Sequence, residues 1–313
     1  MYKKFVYLVL FIVIVFLSIF IYVVYNYKNL FLSKDYPMRM YVLNIVNNKS
    51  GKKMPDTIMI GDSRAQAGYI PNQLMKEKYT INLAMSASTP IEGFFILNRY
   101  LKHHKLKKLI ISYAPFHLAK QDFYWEYTVK SKLFSRKEYY NVEHNSKLIK
   151  DLSTLDINKT FTDYDNPFKY STSFMEGLIK FRWLDYNNII HTMNVNNGHA
   201  YRGRKNYSSG LNQEVKTDNF HYSKLINLYM NKIISLAKIH NVKIYYYTMP
   251  FNETSYKNIT NSYKKNYNNY IDSFNITNCN KIFYMNDNQF GDPSHLFKGS
   301  VEATKQIYQC IKN

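Results

Sequence analysis

From Phe5 to Tyr25 the chain is uncharged and almost wholly apolar. At 1.5 Å per residue this run covers about 31 Å, enough to cross a bilayer as a helix. After a mixed polar and aromatic stretch the pattern changes to short apolar runs alternating with helical spacing. Thr57–Ile60 predicts a first strand, Thr80–Leu83 a second, Lys108–Tyr113 a third, Val242–Thr248 a fourth and Lys281–Met285 a fifth. Between them, Pro90–His104 places Ile91, Phe94, Phe95, Leu97 and Leu101 on one side of a helix, and Ser223–His240 does the same with Leu225, Ile226, Leu228, Tyr229, Ile233 and Leu236. Further helices are expected over Glu253–Phe274 and Phe297–Ile311. Strands alternating with helices imply an α/β fold, a five-stranded parallel sheet with right-handed crossovers. Residues 117–220 break the rhythm and read as an insertion after strand three, at the sheet edge where substrate clefts form.

The chain therefore divides into a transmembrane anchor at 5–25, a connector at 26–54 and an α/β domain at 55–313. The connector ends in the basic run Lys49-Ser50-Gly51-Lys52-Lys53. Lys3 and Lys4 precede the apolar span and favour a cytoplasmic N-terminus, which puts the domain outside the cell membrane. Lys28 and Lys34 lean the other way. A cleaved signal peptide is the rival reading, but the apolar run is long and no Ala-x-Ala-like site follows it.

The formal net charge of +20 fits an acidic partner such as anionic lipid or an anionic envelope polymer, and equally fits a chain that favours lysine throughout. No nucleic-acid motif accompanies the charge. The two cysteines, Cys279 and Cys310, make neither a disulfide framework nor a zinc ribbon. One bridge outside the cytoplasm and two free thiols both remain open.

The chemistry concentrates at two places. Thr57-Ile58-Met59-Ile60-Gly61-Asp62-Ser63-Arg64 is the outline of a strand, a sharp turn and a helix start, with Ser63 at the carboxyl edge of the sheet. Just before the last helix comes Asp292-Pro293-Ser294-His295. A serine hydroxyl needs a base to become nucleophilic; His295 supplies one, and Asp292, three residues earlier, is placed to fix its tautomer. Taken singly, Ser63 reads as a turn or cap serine and Asp292 as the N-cap of the last helix. Their joint placement at strand ends points to nucleophilic catalysis. Arg64 is a candidate for pairing with an anionic group, or for a surface salt bridge. His117, after strand three, is a candidate cleft residue. His103 and His104 lie at a helix end among lysines, and His199 and His221 have no evident partner. No spacing of His, Cys and carboxylates implies a metal, and no cofactor motif is present.

These motifs resemble the SGNH (GDSL-type) hydrolase superfamily. The likeness rests on Gly61-Asp62-Ser63, on Asp292-Pro293-Ser294-His295, and on Asn82-Leu83-Ala84-Met85-Ser86-Ala87-Ser88-Thr89 as the second motif. It covers roughly residues 56–116 and 240–312. It implies a flavodoxin-like three-layer α/β/α sandwich and an oxyanion hole made by the N–H groups of Ser63 and Ala87, where the superfamily usually has glycine at the second position. The third motif, Gly-x-Asn-Asp, is absent; Ser112-Tyr113-Ala114-Pro115-Phe116-His117 stands there, so no side-chain oxyanion donor is assigned.

With its anchor, the layout is similar to the cell-envelope branch of that superfamily, such as DltD of teichoic-acid D-alanylation and the alginate O-acetylation proteins. The resemblance implies a serine esterase or O-acyltransferase acting on acetyl or D-alanyl esters of an envelope polysaccharide or teichoic acid, with a membrane-bound O-acyltransferase as partner. Two other readings compete. One is a catalytically weak accessory protein that binds polymer or carrier and scaffolds an acyltransferase. The other is an anchored lipid-acting esterase, for which the polar insertion supplies no evident lid.

Overall fold

The computed structural model describes residues 2–32, 35–47, 54–71, 80–119, 128, 131, 133–149, 171–205, 210–212 and 219–312. The basic run at 49–53 and much of the stretch read as an insertion lie outside these residues.

Helix α1 spans Tyr2–Leu32, and α2 follows over Tyr36–Asn47, so most of the expected connector is helical. The α/β body then runs β1 (Thr57–Gly61), α3 (Ser63–Gly68), β2 (Thr80–Asn82), α4 (Pro90–His103) and β3 (Lys108–Ser112). Between β3 and β4 lie α5 (Pro115–Ala119), α6 (Arg136–Ile149), α7 (Ser171–Ile179), a 3-10 turn (Arg182–Asp185), α8 (Tyr186–Val195) and α9 (Lys224–Ile239). The chain closes with β4 (Lys243–Tyr246), β5 (Phe251–Asn252), α10 (Glu253–Lys257), α11 (Asn261–Asp272), β6 (Thr277–Asn278), β7 (Tyr284–Met285), a 3-10 turn (Asp287–Gln289) and α12 (Ser300–Lys312).

The main sheet has five parallel strands in the order β2-β1-β3-β4-β6. Its central strands are buried on both faces, which is why they read as unbroken apolar runs rather than alternating ones. Ile58, Ile60, Leu109, Ile111 and Tyr246 point to one face and pack with Phe95, Leu97, Leu225 and Ile233 from α4 and α9. Met59, Ile110 and Tyr245 point to the other and pack with Ala65 of α3 and Ala303, Ile307 and Ile311 of α12. The two-residue period of the strands thus feeds two separate helical layers.

The fifth strand is corrected. Thr277–Asn278 pairs with Tyr245–Tyr246, while the apolar run expected there, Lys281–Met285, leaves the main sheet, and its Tyr284–Met285 joins Phe251–Asn252 as a two-stranded sheet. The long helix expected over Glu253–Phe274 is two helices, because Thr260 caps α11 with its hydroxyl on the Tyr263 N–H. The last helix begins at Ser300, so Asp292 is not its N-cap.

Candidate active site

β1 ends at Gly61, and the chain turns at once into α3. Asp62 makes that turn. Its Oδ1 accepts from the N–H groups of Arg64 (2.8 Å) and Ala65 (3.4 Å), and its Oδ2 accepts from the N–H of Ala114 (2.6 Å) at the end of β3. The carboxylate is wholly buried, with three backbone donors in place of water. Gly61 lies so close to β3 that a Cβ would meet the Ser112 carbonyl at 2.0 Å. Ser63 is therefore held at a fixed height above the sheet.

Its hydroxyl meets the imidazole of His295: Ser63 Oγ lies 2.8 Å from His295 Nε2, across 232 positions of sequence. His295 Nδ1 lies 2.8 Å and 2.9 Å from the two oxygens of Asp292. A carboxylate only accepts, so Nδ1 carries the proton there and Nε2 is left to accept from Ser63. Asp292 Oδ1 also accepts from the N–H groups of Ser294 and His295, both at 2.8 Å. Burial pushes the Asp292 carboxyl up, but the hydrogen bond and charge of His295, with the two amides, outweigh it and hold it below the usual aspartate value. A bridge between Phe290 and Leu296, both buried, pinches the ends of this loop together.

The turn after β2 faces the same place. Asn82 is spent on structure: its amide donates to the carbonyls of Ala65, Gln66 and Tyr69, and its Oδ1 accepts from Ala84 N–H. Ala87 sits in the left-handed region at φ 54°, a conformation that favours glycine. Among the described residues, the amide N–H groups of Ser63 and Ala87 donate to no other group. The helix that follows, α4, opens on a capping box in which Thr89 and Glu92 satisfy each other's backbone. Burial pushes the Glu92 carboxyl up, against hydrogen bonds from Thr89 and Thr128.

The remaining candidates fall elsewhere. Arg64 is buried, with its guanidinium over the Phe251 ring at 4.8 Å. His117 is buried behind the second turn: Nδ1 lies 2.9 Å from the Ser88 carbonyl and Nε2 3.8 Å from Asp62 Oδ2. Among the described residues the exit of β3, from Tyr113 to Ala119, holds no Asn or Gln, and the Ala114 N–H there is used by Asp62.

One segment escaped the sequence reading. Residues 197–204 press between the two halves of the site. The Asn197 carbonyl accepts from Asn82 N–H at 2.9 Å, and the buried His199 places Nε2 3.1 Å from the Ala67 carbonyl. Arg204 N–H donates to the Gly291 carbonyl at 2.7 Å. The Arg202 guanidinium donates to Gln66 Oε1 (2.8 Å) in α3 and to Asp35 Oδ1 (3.0 Å) just past α1. Gly203 has φ 77°, and a Cβ there would meet the Gly291 carbonyl at 2.1 Å. In Arg202-Gly203-Arg204 the glycine between two arginines is the sequence's sign of this close approach.

Cys279 and Cys310 form a disulfide, which resolves the alternative left open above. Among the described residues no group of His, Cys, Asp and Glu is placed to hold a metal ion. Neither a protein-family model nor a curated protein matches this chain.

Proposed function

We propose that this chain is a serine esterase or O-acyltransferase working on acyl esters of a cell-envelope polysaccharide or teichoic acid outside the cell membrane. The observation that carries the reading is the continuous line Ser63 Oγ to His295 Nε2 to Asp292, every step within 2.9 Å. Such a line is the arrangement a hydroxyl needs to become a nucleophile. The parallel sheet order β2-β1-β3-β4-β6, with Ser63 at its carboxyl edge, supports the flavodoxin-like SGNH likeness, and so does the glycine-like backbone of Ala87. The helix α1, long and apolar enough over Tyr2–Tyr25 to cross a membrane, supports a single-pass anchor.

In this reading Ser63 Oγ attacks the acyl carbonyl carbon while its proton passes to His295 Nε2. Asp292 stabilises the imidazolium and keeps Nδ1–H pointed at itself. The carbonyl oxygen, now negative, takes the Ser63 and Ala87 N–H groups. Collapse breaks the C–O bond to the leaving alcohol, which receives the proton from Nε2. An acceptor hydroxyl, from sugar, polyol or water, then gives its proton to Nε2 and attacks the acyl-serine, and Ser63 leaves with that proton.

A second reading keeps one observation in its favour. Among the described residues the β3 exit holds no Asn or Gln to act as a side-chain oxyanion donor, which suits an accessory protein that binds polymer or carrier for a membrane-bound O-acyltransferase. The deciding experiment treats the full chain in detergent with a fluorophosphonate probe and acetyl esters, alongside Ser63→Ala and His295→Ala. Labelling and turnover present in the wild type and lost in both variants are expected. A folded wild type that neither labels nor turns over any ester moves the assignment to the accessory role, and turnover surviving Ser63→Ala overturns the mechanism.

A further inference from the structure

α1 is not covered evenly. From Phe5 to Tyr22 its large apolar side chains are mostly exposed, whereas Val24 is 3% exposed. The body of the protein therefore meets α1 at the end of its apolar stretch. α7 and the 3-10 turn after it pack along α1, and α2 touches it as well. A bilayer's hydrocarbon is about 30 Å thick, or some 20 helical residues, so the buried Val24 comes one such length along the helix from Phe5.

On the elements packed along α1 the protein exposes a cluster it does not need for its own packing. Met175, Ile179, Phe181, Trp183 and Leu184 are 40%, 69%, 58%, 45% and 56% exposed. Phe181 adopts φ 48° and ψ 38°, the left-handed conformation that a bulky side chain avoids. The strain breaks α7 from the turn and leaves the phenylalanine ring outside. The charges in the cluster are tethered: Glu176 takes both Lys180 (2.5 Å) and Arg182 (3.0 Å). Aromatic and aliphatic side chains beside paired, long-stemmed basic residues are the composition of a helix that lies in a membrane interface.

We infer that residues 175–184 are a second membrane contact, sunk into the headgroup boundary of the leaflet from which α1 emerges. The inference rests on reading α1 as the anchor. One span alone leaves a domain free to swivel and tilt; a second contact beside it fixes which face looks at the lipid. Asp35 comes three residues after α1, and its partner Arg202 also holds Gln66, one turn beyond Ser63. The seated domain thus holds the nucleophile's helix close over the bilayer surface, where the substrate is an acyl ester carried by, or delivered at, the membrane.

The test uses the full chain in phosphatidylcholine–phosphatidylglycerol vesicles. The sequence has two tryptophans, so Trp125→Phe leaves Trp183 as the reporter. Lipids brominated near the glycerol end of the acyl chain should quench Trp183 about twofold, and those brominated near the methyl end much less, because an interfacial face sits only roughly 5–10 Å deep. Phe181→Glu with Leu184→Glu should abolish the quenching while the chain stays in the vesicle. Alkaline carbonate separates the two readings. A carbonate-resistant chain whose Trp183 is not quenched overturns the seat, leaves the anchor standing, and marks the cluster as a surface for another protein. A chain that carbonate strips from the vesicle overturns the anchor and the seat with it.

Discussion

The two loops of the site are built on the same local device and put it to different uses. Asp62 and Asp292 each follow a glycine, and each accepts with Oδ1 from the amides two and three residues on. They part company at the second oxygen. Asp62 Oδ2 takes the Ala114 amide and stitches the turn to β3, so all of its capacity goes into the fold. Asp292 Oδ2 faces the His295 ring, and the Asp292 side chain stays partly open to solvent, at 32%. The first loop has to fix where Ser63 stands; the second has to fix which ring nitrogen holds a proton. One aspartate is a rivet and the other an orienting group, although their sequence contexts begin alike.

The largest effect that sharpens this contrast is on rate. Asp292→Asn keeps the shape but reverses what the side chain asks of Nδ1, so fluorophosphonate labelling should slow by about 10³–10⁴-fold, with the urea midpoint nearly unchanged. A variant that labels at the wild-type rate would mean that Asp292 only shapes its loop. The next effect is on stability. Asp62→Ala leaves three buried N–H groups without acceptors, at about 1–3 kcal/mol each, and should lower the unfolding midpoint steeply or prevent folding. A stable Asp62→Ala chain that has lost only its labelling would put Asp62 in the chemistry instead.

A third effect concerns the segment that joins the loops. Burial drives the His199 ring down to about 4 from an ordinary 6.5, although its bond to the Ala67 carbonyl pulls the other way. Below 6.5 the unfolded chain takes up a proton that the folded chain refuses. Stability is thus full above about 6.5 and declines as pH falls toward 4, by an amount of the order of 3 kcal/mol. Urea midpoints across this range should fall less in His199→Gln; equal slopes would show that other groups carry the acid sensitivity. The smallest effect is at the second turn. Ala87→Gly relieves a left-handed alanine and should gain about 0.5–1 kcal/mol, read as a small rise in Tm, with labelling kept. A loss of stability would mean that the Ala87 methyl is packed more usefully than its backbone is strained.

The parts of the fold legible in the sequence are those that physics writes locally. β1 and β3 are apolar runs because both faces of the sheet are covered, and α4 and α9 repeat their apolar residues at helical spacing. β6 was not legible, because two polar residues at a sheet edge are held by pairing with Tyr245 and Tyr246 and not by burial. The run Ile282–Met285 looked more like a strand than the strand itself did. Within the site, the Gly-Asp-Ser turn and the Asp-x-x-His loop announce themselves through residue type and order. The tie through Arg202 does not, since nothing near position 202 records that Gln66 and Asp35 lie within reach.

The disulfide gives the second loop a history as well as a shape. Cys279 and Cys310 are 31 positions apart, and the covalent ring they close contains Asp292 and His295. Ser63 lies outside it. Closing a ring of this length removes about 3–4 kcal/mol of freedom from the unfolded chain, so the fold that brings His295 to Ser63 is firmest where thiols are oxidised. Where thiols stay reduced, the fold would forgo that help, and the contact of His295 with Ser63 would rest on packing and hydrogen bonds alone.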